Sequence, residues 1–310
     1  MQNLSSHKPL AILLISLTSL ILSAGCNTVG PPEPVIEVPR DDAPAWSPDG
    51  NFIAYNHFNP EADEHTNPFG LYVLNLETGE RNLVIEGPAF NPDWSPDGEW
   101  IAFNSNDIFK IRPDGSDLTR LTGHSMSFFP RWSPDGNTIS YGRSGSQEVV
   151  GLWFFHIPDS TYQRFGFGAS PADWSPDGQR IVYEGPQGSS ETGGNQIWVA
   201  DTSNTNNVQL TSNDFRVNRS PAWSPDGVRI VWQVHYGGQK FGMWIMSADG
   251  SNSKEIMSIE TNHTIALDLI APSWSPDSQR IVFSTPNPDE SKVVLWTIQR
   301  DGNGLEQITF

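Results

Sequence analysis

The chain has 310 residues, with 36 acidic against 18 basic side chains, a formal net charge of −18 and one cysteine. That balance excludes a nucleic-acid binder, which needs a basic footprint, and it excludes electrostatic adhesion to anionic lipid heads. A single thiol excludes an internal disulfide framework.

Taken in chain order, residues 1–25 hold a polar lead with Lys8, an apolar run over 10–22 and the small residues Ser23, Ala24 and Gly25 just before Cys26. The run is too short and too weakly flanked for a membrane span and reads as an export signal. Ser-Ala-Gly-Cys resembles a bacterial lipoprotein cleavage box, although Leu22 stands four residues before the cysteine where three is usual. The resemblance implies lipid attachment at Cys26, and therefore membrane contact through the N-terminal lipid alone. Lys8 is the only charged residue of the leader, so cleavage before Cys26 leaves the remainder one unit more negative.

Residues 26–40 carry Pro31, Pro32, Pro34 and Pro39 without periodicity and read as a semi-rigid tether, rising about 3.1 Å per residue in a polyproline-like conformation. Residues 35–38 could instead pair with the domain that follows, but the last repeat already owns a terminal strand, which favours the tether.

From residue 41 to the end the chain repeats itself. Trp-Ser-Pro-Asp-Gly begins at Trp46, Trp94, Trp132, Trp174 and Trp223 and returns at Trp274 with Ser278 in place of Gly. The mean spacing is about 46 residues, within the range for four-stranded propeller blades. In the turn, Pro sets φ at the first corner, Asp bonds its own backbone and Gly accepts positive φ. Ser278 therefore predicts a looser turn in the sixth unit, since positive φ costs a non-Gly residue about 1 kcal/mol.

An apolar-x-aromatic strand follows each turn, ending at Tyr55, Phe103, Tyr141, Tyr183, Trp232 and Phe283. A third strand carries Tyr72, Phe109, Trp153, Trp198, Trp244 and Trp296, and Leu-Thr segments such as 118–122, 208–211 and 305–309 supply fourth strands. β-branched and aromatic residues are strand formers, and the aromatic columns predict that most of the twelve Trp are core. The expected fold is an all-β, six-bladed β-propeller of four-stranded antiparallel blades, with blades starting near residues 43, 91, 129, 171, 220 and 271.

The pattern Pro-x-Trp-Ser-Pro-Asp-Gly, then Ile-x-aromatic, then Leu-Thr resembles the β-propeller repeat of TolB, the periplasmic protein of the Tol-Pal envelope system, over 41–310. The resemblance implies a scaffold for a protein or peptide of the cell envelope, facing the periplasm or the outer cell surface. TolB places an α/β domain before its propeller, whereas this chain has only the Pro-rich segment there.

No catalytic constellation with diagnostic spacing emerges, and no cofactor or nucleic-acid partner is implied. Gly123-His124-Ser125-Met126-Ser127 falls one Gly short of a nucleophile elbow and lies between blades, where the strand-to-helix turn that the elbow needs is lacking. Asp114-Gly115 and Asp301-Gly302 read as hairpin turns, since they lack the full ligand spacing of a calcium loop.

Because four antiparallel strands alternate direction, the first and third turns of every blade share one face and the second turns and blade links share the other. The second face has unequal connections, where repeat proteins concentrate binding. It holds His57, His65, His124, His235 and His263 and the candidate exposed aromatics Phe58, Phe69, Phe128, Tyr236 and Phe241. The histidines, with Asp63 or Glu64, keep open a metal-assisted enzyme on acidic oligosaccharides, resembling oligogalacturonate lyase propellers; the scaffold is preferred. On the channel wall, the residues before each motif Trp place Arg131 between Asp93 and Asp173, predicting a partly buried ion network. The chain is expected to be monomeric.

Overall fold

The computed structural model describes residues 38–60, 68–145, 150–166, 171–185, 194–212, 216–261, 271–289 and 291–309. Among them the regular elements are twenty-four strands and no helix. Each of the six motif segments, here called units one to six, supplies four consecutive antiparallel strands, the first ending in the motif Trp. The architecture is a β-propeller. Units two to five form separate four-stranded sheets, and units six and one join in a single eight-stranded sheet.

That joint is small. Arg40 pairs in parallel with Val293, whose N–H donates to the Pro39 carbonyl at 2.9 Å. The last strand, Glu306–Gln307, pairs only with Trp296 and Thr297, which leaves the start of Val293–Gln299 open to Pro39 and Arg40. The ring thus begins at the end of the segment read as tether, because an uncovered strand edge was available to pair.

The sequence columns become the core through register. Tyr55 lies directly across from Tyr72, Phe103 from Phe109, Tyr141 from Trp153, Tyr183 from Trp198, Trp232 from Trp244 and Phe283 from Trp296. Directly opposed aromatic pairs are among the stronger cross-strand contacts, worth roughly 0.2–1 kcal/mol each over Ala–Ala. The Ile that opens each second strand, from Ile53 to Ile281, is fully buried, and every motif Trp is at most 9% exposed. The buried residues fall into clusters that each bridge successive units: Ala54 and Leu71 with Trp94 between one and two, Trp132 and Ile139 with Ala102 between two and three, and so on. The ring closes in the same way, with Trp46, Tyr55 and Leu74 of unit one packed on Val282 and Leu295 of unit six.

Every turn is built alike. In unit one Ser47 Oγ donates to Asp49 Oδ1 at 2.6 Å and accepts the Phe52 N–H at 2.9 Å, while Asp49 Oδ1 also accepts the Asn51 N–H. The turn Gly takes positive φ, from 68° at Gly178 to 79° at Gly50. A Cβ on Gly98 would lie 3.4 Å from Pro48 of the turn before, one on Gly136 3.9 Å from Pro96 and one on Gly50 3.8 Å from Pro276. Each turn therefore rests on the proline of its predecessor, and the relay runs across the closure.

The sixth turn is not looser, as the sequence had suggested. Ser278 adopts φ 58° and its N–H donates to the Ser275 carbonyl at 2.8 Å, as Gly does elsewhere. The compensation is external: the Asp226 N–H of the preceding turn donates to Ser278 Oγ at 3.0 Å, and Ser278 is buried. Ser278→Ala keeps the backbone strain but removes that acceptor, and is expected to cost about 1–2 kcal/mol in denaturant unfolding. Ser278→Gly exchanges the bond for relief of strain of similar size and is expected to leave stability within about 0.5 kcal/mol of the parent.

Candidate functional site

The first strands of the six units, which end at the motif Trp, pack one on the next around the ring. Just before the Trp these strands carry Ala45, Asp93, Arg131, Asp173, Ala222 and Ser273. The two acids are used as backbone acceptors. Asp93 Oδ2 accepts the Trp132 N–H at 2.7 Å, and Asp173 accepts Trp174 N–H through Oδ1 at 2.9 Å and Trp223 N–H through Oδ2 at 2.7 Å. Ser273 Oγ does the same for Trp46 at 3.2 Å, across the closure. Arg131 donates through Nη1 to the Pro130 carbonyl at 2.9 Å, and among the described residues it forms no ion pair. The expected ion network is therefore replaced by carboxylates that tie neighbouring strands, with Arg131 acting on them at longer range. Burial pushes the Asp93 carboxyl up to about 7, opposed by Arg131 and the Trp132 bond and aided by the charge of Asp173. Asp173 is raised too, by burial, against Arg131 and its two backbone donors.

On the variable face each described histidine has a local partner. His57 Nδ1 lies 2.7 Å from Asp41 Oδ1, with Arg81 Nη1 3.8 Å from the other oxygen and the ring edge-on to Tyr72. His124 meets Tyr162 of the next unit edge-on at 4.7 Å, and its N–H donates to Asp107 Oδ1. His235 stacks on Phe241 at 4.7 Å with a ring nitrogen 3.0 Å from the Gly238 carbonyl. Among the described residues no three His, Cys, Asp or Glu side chains converge as a metal set would. His65, His263, Asp63, Glu64 and Cys26 lie outside the described residues.

The aromatics divide. Phe241 is only 3% exposed and belongs to the core between units five and six, so its place as an exposed candidate is corrected. It is buried because it lies opposite His235 in the register and stacks inward on that ring. Tyr236 is half-buried and pinned: its hydroxyl donates to Glu255 Oε1 at 2.6 Å and accepts the Trp244 indole N–H at 2.6 Å, under the guanidinium of Arg216. Burial and the bond to Glu255 push its phenol up to about 12. The half-buried Phe58, Phe69 and Phe90 instead form a row, with ring centroids 5.8 and 5.6 Å apart, and the Arg40 guanidinium caps Phe58 at 4.8 Å. Phe128 meets Phe129 edge-on at 5.5 Å, and Phe128 stands four residues before its motif Trp, as Phe90 does.

Two features escape the sequence reading. Ala43, Asn91, Phe129 and Ser220, each three residues before a motif Trp, take φ between 48° and 54° at bulges in the first strand. Such strain persists where the surroundings over-determine it. In units two and three the preceding unit's side chain holds it: Asn91 N–H donates to Asn56 Oδ1 and Phe129 N–H to Asn104 Oδ1. The signal available was the Asn directly after the strand aromatic in units one and two. The second feature is a cleft of about 610 Å³ on the turn face between units three and four, floored by Trp174 and Phe154.

A strained first strand, a Trp-Ser-Pro-Asp-Gly turn and four-strand units point to one family. The model of the TolB beta propeller domain matches residues 42–266. The chain belongs to this family. Among solved structures, a protein assigned as TolB from Agrobacterium tumefaciens superposes with TM-score 0.64 at 24% identity, covering 77% of this chain and 87% of that one. TolB from Acinetobacter baumannii gives TM-score 0.58 at 25% identity, covering 75% of this chain and 56% of that protein. Oligogalacturonate lyase from Vibrio parahaemolyticus gives 0.57 at 13% identity over 87% and 78%, a likeness of fold alone. No curated protein matches the chain.

The acids of the first strands have a pH signature of definite sign. The folded-state pKa of Asp93 lies above its unfolded value, so folding favours the protonated form. Its contribution is then largest below about pH 4 and is lost as pH rises towards 7. Asp93→Asn keeps an oxygen acceptor for the Trp132 N–H and is expected to raise the thermal midpoint at pH 8 by a few degrees while changing little at pH 4. Arg131→Ala is expected to lower the midpoint at pH 8 more than at pH 4, because it removes the cation that offsets both acids.

Proposed function

We propose that the chain is an exported β-propeller of the cell envelope, tethered through a lipid on Cys26, whose variable face binds a protein or peptide partner. The observation that carries the binding reading is the half-buried phenylalanine row, Phe58, Phe69 and Phe90, followed by the Phe128–Phe129 pair of unit three. Aromatics of this kind are enriched at interface cores and hot spots. Phe58, Phe90, Phe128 and Phe129 stand on first and second strands locked by neighbouring units, and Phe69 directly precedes a third strand, so little ordering cost falls on the scaffold when a partner docks. Membership of the TolB propeller family supports a binding role over catalysis, and the local engagement of His57, His124 and His235 supports it further. An acidic ring with one leader cysteine fits attachment by lipid and not by surface charge, on either the periplasmic or the outer side of an envelope.

The binding reading is tested by capture from envelope extract with the folded ring. A Phe58→Ser, Phe69→Ser, Phe128→Ser variant is expected to lose its partner while Glu99→Lys, on the turn face, retains it; the reverse pattern in folded proteins overturns the assignment. For the anchor, Cys26→Ser is expected to move the protein from the membrane fraction to the soluble one, since stable attachment takes two or more acyl chains. Retention of that variant in the membrane sinks the lipoprotein reading.

A further inference from the structure

One register position varies in a way that opens the molecule. The residue before the buried Ile of each second strand is Phe52, Trp100, Thr138, Arg180, Arg229 or Arg280. Its backbone is held identically in all six units, N–H to the turn Ser Oγ at 2.9 Å, so only the side chain differs.

In unit four the Arg180 guanidinium lies 4.8 Å over the ring of Trp223, the motif Trp of the next unit, and Arg280 lies 5.0 Å over Trp46 across the closure. Phe52 and Trp100 pack against the clusters that hold Trp94 and Trp132, while Arg229 turns to Asp226 of its own turn, 3.7 Å away. Thr138 is too short to do the same for Trp174, and the cleft of about 610 Å³ lies at that place, lined by both residues and by Asp135 and Asp177.

We propose that this cleft receives an arginine side chain presented by a partner protein, its guanidinium lying over Trp174 as Arg180 lies over Trp223, with Asp135 as its carboxylate. The protein supplies its own template twice. Where the arginine is internal, the turn acid of the same unit interacts with it: Asp177 with Arg180 and Asp277 with Arg280. Asp135, held below the ordinary carboxylate range by Ser133 and Asn137, is ionised and waiting in the corresponding place.

A planar guanidinium stacks on an indole face while offering donors in its plane, which an ammonium does less well. The net charge of −18 favours a basic partner. His156, directly across from Thr138 in the register, lines the cleft with its ring Nδ1 3.1 Å from the Asn137 carbonyl. The proposal rests on the protein-binding reading in one respect, that the arginine comes from a protein; the chemistry of the cleft does not depend on which face takes the main partner.

The probe is a blocked pentapeptide, Gly-Gly-Arg-Gly-Gly, titrated by calorimetry at pH 8 into the folded chain, beside the same peptide with citrulline in place of arginine. Saturable binding at about millimolar concentration is expected, weaker by at least about tenfold for citrulline, which keeps the shape and loses the charge. Thr138→Arg rebuilds the internal arrangement and is expected to fold with an unchanged or raised thermal midpoint and to abolish binding. Asp135→Asn, which keeps an acceptor for Ser133 and Asn137, is expected to weaken it severalfold. No binding of the arginine peptide, equal binding of the citrulline peptide, or undiminished binding by folded Thr138→Arg each overturns the proposal. Capture of an envelope partner through the phenylalanine row would survive all three results, so the two readings fail separately.

Discussion

The structure depends on each unit docking against the one before it. A four-strand unit buries one face of its aromatic pairs only when the next unit covers it, so stability is a sum of neighbour terms that must close on itself. Closure through the backbone is slight, one parallel pair at Arg40 and Val293. Side chains make the seal: Trp46 and Tyr55 against Val282 and Leu295, Arg280 over Trp46, Ser273 on the Trp46 N–H and Gly50 over Pro276. These are the same contacts that join the other units, which is why the seam needs no long shared strand.

The polar groups of the ring serve that docking before they serve chemistry. Asp93 and Asp173 each accept the Trp N–H of the following unit, and Asn56 and Asn104 hold bulges whose residues take left-handed φ. Half-burying a carboxylate without a close cation raises its pKa and weakens the fold at neutral pH, and the backbone bond offsets part of that. Two acids that tie strands are the less costly use of the wall, since a fully formed buried ion pair must also recover the desolvation of the arginine.

The fold was legible because its signals repeat. Trp-Ser-Pro-Asp-Gly and the Ile-x-aromatic triplet are local, and local signals seen six times fix the strand register, the turn conformation and the aromatic pairing. What escaped was set between units. Ser278 looked like a defect because its compensating donor, the Asp226 N–H, is fifty-two residues away. Phe241 looked exposed because it falls at one of the unequal connections of the variable face, yet cross-strand register places it on His235. Arg131 looked like an ion-pair partner because sequence order shows adjacency around the ring but not where each carboxylate points.

The same reasoning changes the weight given to the turn face. A surface that repeats six similar turns offers little by which an asymmetric partner could choose a site, so its regularity argues against recognition there. Regularity also makes each unit a control for the others. At the position before the buried Ile, Arg180 and Arg280 reach over the next motif Trp, and Phe52 and Trp100 join the clusters that hold theirs; the unit with Thr138 has a cleft instead. The backbone at Thr138 is held as in the other units, so the cleft is not a local failure of folding but follows from a side chain too short to cover the next motif Trp. A missing group whose chemistry the molecule specifies elsewhere is a stronger pointer to a ligand than a hollow of arbitrary lining. The place where a symmetric face becomes unique is thus where it can discriminate.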